Sequence, residues 1–73
     1  MTKVIDIKSK EQVRKISELA CKAPYEVWLD DGTVMLDARS LLGLFALVGK
    51  RTCVVAEDNV DPRSFSKLVD KMA

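Results

Sequence analysis

Residues Leu41 to Val48 form a block that is apolar nearly all round, interrupted only by Gly43. Ser40 stands directly ahead of it, where a helix N-cap belongs, and the block is rich in helix formers. The spacing therefore predicts a short helix that stops near Val48-Gly49, glycine being the usual residue just past a helix end. A short helix lying on a small domain buries one stripe, so several of these side chains should stay in contact with water. An exposed apolar patch of that kind marks a partner surface. Complete burial of the helix is the competing reading.

The rest of the chain supplies the layer on which such a helix can lie. Thr2 to Lys8 alternates, with Val4 and Asp6 on one side and Ile5 and Ile7 on the other, the period of a half-buried strand. Ser9 to Gln12 matches a capping box, in which Gln12 is expected to reach back to the Ser9 amide. In the helix that follows, Val13, Ile16, Leu19 and Ala20 share one stripe, and Arg14, Lys15, Glu18 and Lys22 face water. Ala23-Pro24 ends it, because proline disfavours helical geometry in the residue before it. Tyr25 to Asp30 reads as a second strand. Asp30-Asp31-Gly32-Thr33 is a tight turn, and Val34 to Asp37 returns as a third strand. Thr52 to Glu57, rich in β-formers, is the fourth. Asn59 to Asp61 is a loop, Asp61 caps the last helix, and Pro62 fits its first turn. Phe65, Leu68, Val69 and Met72 then recur at the spacing of one buried face.

The order β-α-β-β-α-β-α, with each helix apolar on one side, implies an α+β fold: a two-layer sandwich with one sheet face uncovered. Its 73 residues form a single domain, 1–73, close to the lower size limit for an unaided core. Trp28 and Met35 fall on the uncovered face if Val27 and Leu29 face the helices, and Cys53 and Val55 join them in one register. A slip of one residue reverses the assignment and makes Trp28 a core residue. A tryptophan on an open sheet face is a candidate second contact surface or homodimer interface.

Charge and composition narrow the function. The formal net charge is +1, so nothing directs the chain to nucleic acid or to an anionic membrane. The longest apolar run is far too short to span a bilayer. Met1-Thr2-Lys3 leads straight into the alternating pattern instead of a signal peptide, so a cytoplasmic protein is expected. On that footing Cys21 and Cys53 are read as reduced packing residues. The chain has no histidine, which removes the commonest general acid or base, and no metal or other cofactor is expected. An enzyme is not expected either, because no Cys-His, Ser-His or metal cluster exists.

Asp-Ala-Arg-Ser-Leu-Leu-Gly-Leu-Phe-Ala-Leu, residues 37 to 47, resembles the segment around the regulatory serine of HPr, the small phosphocarrier of the bacterial phosphotransferase system. There the family usually reads Asp-Ala-Lys-Ser-Ile-Met-Gly-Leu-Met-Ser-Leu. The turn around Gly32, the Val-Val-Ala-Glu of the fourth strand and the order of elements also fit. Gly43 has no local reason in a helix, where glycine is about 1 kcal/mol worse than alanine, yet the family carries glycine at the matching place. The resemblance implies an open-faced β-sandwich of HPr type, with a four-stranded antiparallel sheet and helices on one face. It also implies that Leu41, Leu42 and Phe45 match the exposed apolar positions through which the family binds partner proteins. Ser40 matches the serine phosphorylated by HPr kinase.

The departure is equally specific. HPr proteins carry the phosphoryl group on the histidine of a Gly-x-His-Ala-Arg-Pro-Ala loop. Here Ile7-Lys8-Ser9-Lys10-Glu11 passes from strand to helix with no counterpart of that loop. The resemblance thus points to a regulatory or protein-binding module of phosphotransferase type, with HPr kinase or a regulator of that system as partner. Ser40 is then a phosphate acceptor or simply a helix cap. Two alternatives stay open: a self-associating structural module, and a phosphocarrier using Ser9 or Asp6 in place of histidine.

Overall fold

The computed structural model describes residues 1–73 and contains four strands and three helices. These are β1 (Thr2–Asp6), α1 (Lys10–Lys22), β2 (Trp28–Asp30), β3 (Met35–Asp37), α2 (Leu41–Phe45), β4 (Arg51–Val55) and α3 (Pro62–Met72). The strands form one antiparallel sheet in the order β1-β4-β2-β3, and the helices cover one of its faces. The order and architecture are those the periodicities imply. Ile5, Leu29, Thr52 and Val54 point from the sheet into the core. There they meet Val13, Ile16 and Ala20 of α1, Leu44 and Leu47 from the α2 region, and Phe65, Val69 and Met72 of α3. Leu19 and Leu68, at the margins of their stripes, are half-buried.

Element ends differ from the periodicities for identifiable reasons. β2 begins at Trp28, not Tyr25, because its partner β3 turns away after Asp37. That turn closes with the Ser40 N–H donating to the Asp37 carbonyl at 2.9 Å. α2 is one helical turn only. From Ala46 to Val48 the backbone tightens into bonds of i to i−3 type: Ala46 to Gly43, Leu47 to Leu44, Val48 to Phe45. Gly49, with φ of 89°, reverses the chain, and its N–H donates to the Ile7 carbonyl at 2.7 Å. That bond ties the segment to the end of β1 before the helix can continue.

Gln12 also departs from the expected capping box. Ser9 caps α1 as predicted, its hydroxyl accepting from the Gln12 N–H at 3.1 Å. The Gln12 carbonyl oxygen, however, accepts from Lys8 N–H at 2.8 Å instead of from Ser9. Its amide nitrogen donates to the Asp6 carbonyl at 2.8 Å and to the Met72 carbonyl at 3.1 Å. One side chain thereby joins the end of β1, the start of α1 and the last turn of α3.

Candidate functional site

The turn from Asp37 to Ser40 is held rigidly. Asp37 accepts from Arg39 Nε at 3.1 Å, from Arg39 Nη2 at 2.7 Å and from the Arg39 backbone N–H at 2.9 Å. The guanidinium and then the backbone N–H hold the Asp37 carboxyl down to about 2. Ala38 is fully buried and its N–H donates to the Val27 carbonyl, while Ser17 Oγ of α1 donates to the Arg39 carbonyl at 3.2 Å. The turn is therefore fastened to the sheet on one side and to α1 on the other.

Ser40 follows, exposed, in the N-cap position of α2, but its side chain makes no capping bond. The reason lies in the backbone. Ser9 caps α1 from an extended conformation with ψ of 162°, whereas Ser40, drawn into the turn on Asp37, has ψ of 86°. The Ser40 hydroxyl is left without a structural task. Gly43 lies next to it: a Cβ there would sit 3.4 Å from Ser40 Oγ and 3.6 Å from Leu36. Both are ordinary van der Waals contacts, so a side chain at Gly43 would fit and the structure does not demand glycine there.

Leu41, Leu42 and Phe45 do not share one environment. Leu42 projects into solvent at 85% exposure, while Leu41 and Phe45 are half-buried and pack against the core. The Arg14 guanidinium lies over the Phe45 ring, 5.9 Å from its centre, a cation–π contact from α1. The result is one fully exposed leucine between two partly sheltered apolar side chains, bounded by Arg14 and Arg39. Arg14 did not stand out in the sequence, because it acts across elements, from α1 onto α2.

The start of α1 is closed by Gln12 and Ser9 as described. Asp6 accepts from Arg51 Nε at 3.0 Å. Neither Ser9 nor Asp6 has a neighbouring base to activate it as an acceptor. Trp28 lies on the uncovered sheet face between Val55 and Asp37, with Cys53 and Met35 one row along. Both cysteines are free, Cys21 on α1 and Cys53 on the opposite face of the sheet. No cluster of three His, Cys, Asp or Glu side chains has the spacing to hold a metal, and no helix is long and apolar enough to cross a membrane.

Four antiparallel strands with all helices on one face define the open-faced sandwich of HPr type. Among solved structures the chain is similar to the crystal structure of HPr-C-His from Thermoanaerobacter tengcongensis. The TM-score is 0.75 at 21% identity, covering 99% of this chain and 90% of that one. At that identity the likeness is one of fold. No protein-family model and no curated protein matches the sequence.

Proposed function

We propose that the chain is a non-catalytic regulatory module of HPr type, without histidine phosphocarrier activity, acting in the cytoplasm. It engages a protein partner through Leu41, Leu42 and Phe45 and is switched by phosphate on Ser40. The observation that carries this reading is Leu42, an 85% exposed leucine two residues after an exposed serine whose hydroxyl has no capping role. Phosphate on Ser40 would place about two negative charges beside that leucine. A partner that receives Leu42 in an apolar pocket would then be repelled, and one presenting arginine or lysine would be favoured. HPr kinase and a regulator of the phosphotransferase system are the partners this reading names.

The test is intact-protein mass after incubation with an HPr kinase, ATP and magnesium, with Ser40→Ala as control. One added phosphate that the alanine variant lacks is the expected result. No addition, while an HPr protein is labelled in the same assay, would remove Ser40 as a switch.

A further inference from the structure

The uncovered sheet face is patterned and not merely apolar. Strand register places Thr2, Val55, Trp28 and Asp37 in one row and Val4, Cys53, Asp30 and Met35 in the next. Val4 and Met35 are more than half exposed. Arg51 stands one position below the second row. Glu57 stands one position above the first, continuing the alternation that buries Thr52, Val54 and Ala56.

Four groups on this face have unused bonding capacity. The half-buried Trp28 indole has no hydrogen-bond acceptor within the chain, and Asp30 uses only Oδ1, accepting from Gly32 N–H. Glu57 takes no part in the four ion pairs of the chain. Arg51 is 76% exposed and engages Asp6 through Nε alone.

We propose that this face binds a second copy of the chain, sheet on sheet, about a two-fold axis crossing the strands midway between the two rows. The operation exchanges positions two apart on each strand. Trp28 then lies over Asp30 of the second copy, so that the indole N–H donates to the free carboxylate oxygen, and the same contact forms in reverse. Arg51 lies over Glu57 of the second copy, Val55 over Cys53, and Thr2 over Val4. On the central strands the donor meets an acceptor, the cation meets an anion and Val55 meets Cys53; on the edge strand β3, Asp37, already paired with Arg39, lies over Met35. This self-complementarity singles out a second copy over an unrelated partner. Packed sheets keep their strands within about 30° of each other, so register is held best on the central strands β4 and β2, which carry the Trp28–Asp30 and Arg51–Glu57 contacts. Two copies of formal charge +1 repel only weakly. Strand spacing and rise make the face roughly 19 Å by 17 Å, a small interface that fits a weak, concentration-dependent dimer. The inference stands independently of the α2 surface.

Sedimentation equilibrium from about 10 µM to about 1 mM tests it, with an expected dissociation constant on the order of 100 µM. Tryptophan emission should shift to the blue over the same range. Trp28→Phe, which keeps a ring and removes the donor, should weaken the dimer about fivefold, and Arg51→Glu or Glu57→Arg alone about tenfold. The double variant Arg51→Glu/Glu57→Arg should recover to within about threefold of the original. A chain that stays monomeric at about 1 mM overturns the proposal. So does a dimer indifferent to Trp28→Phe and Arg51→Glu, which would use another surface. Failure of the double variant to recover, with both single variants weakened and folded, refutes the antiparallel stacking.

Discussion

Thr52 offers the sharpest test of the core. It sits in β4 opposite Ile5, is 1% exposed, and its hydroxyl is buried without a hydrogen-bond partner. Burying an unpaired hydroxyl costs about 1–3 kcal/mol on mutational scales. Valine has nearly the same shape, suits a strand at least as well and carries no polar atom. Thr52→Val should therefore stabilise the domain by about 1.5 kcal/mol. At about 2.1 cal/mol/K per residue, 73 residues give an unfolding entropy of about 150 cal/mol/K, so Tm should rise by about 10 °C. Thr52→Ser keeps the hydroxyl, loses a methyl group and should destabilise by about 1 kcal/mol. Reversible thermal unfolding followed by circular dichroism, with guanidinium unfolding at 25 °C as a second measure, reads both variants. A Thr52→Val protein no more stable than the parent would refute the reasoning, because it would mean that the hydroxyl is satisfied.

Gln12→Ala breaks the junction of β1, α1 and α3, and should lower stability by about 1–2 kcal/mol in urea unfolding, with early loss of amide protection at Lys8. Leu42→Lys should change stability by no more than about 0.5 kcal/mol, or about 3 °C in Tm, while abolishing partner binding at the proposed α2 surface. Leu44→Ala, at a fully buried position beside it, should cost about 2–5 kcal/mol. The Asp37 carboxyl titrates from an ordinary 3.8 down to about 2 in the folded chain. Its contribution to stability is thus complete above about pH 4 and is lost as pH falls through about 2. The Arg39 and Ser40 amide resonances should report that titration, and Asp37→Asn should remove it.

Much of the architecture was legible because the signals are local. Ser9, Asp61, Pro62 and Gly49 mark element ends through their own backbone chemistry, and the period of two or of 3.6 residues sorts core from surface. What stayed hidden depends on distant groups. Gln12 looks like half of a capping box until Met72, sixty residues later, is placed beside it. The length of α2 is set by a bond from Gly49 to Ile7, and the apolar run gives no hint of it. Leu41 and Phe45 read as equals of Leu42, yet contacts with the core shelter them. The candidate site was thus found as a segment, but its chemistry, one free leucine and one free hydroxyl, belongs to the folded chain.

The strand order has a consequence for biosynthesis. β1 pairs only with β4, so Met1 meets Ala56 across 55 positions of chain. Until β4 leaves the ribosome, β1 has no partner, and β2 and β3 amount to a hairpin of three residues a side, too small to persist in water. The stripe of α1, Val13, Ile16 and Ala20, emerges long before the sheet that covers it. The nascent chain therefore travels most of its length with this apolar helix uncovered. The sheet closes only when Arg51 to Val55 arrives, and the core only when α3 adds Phe65, Val69 and Met72.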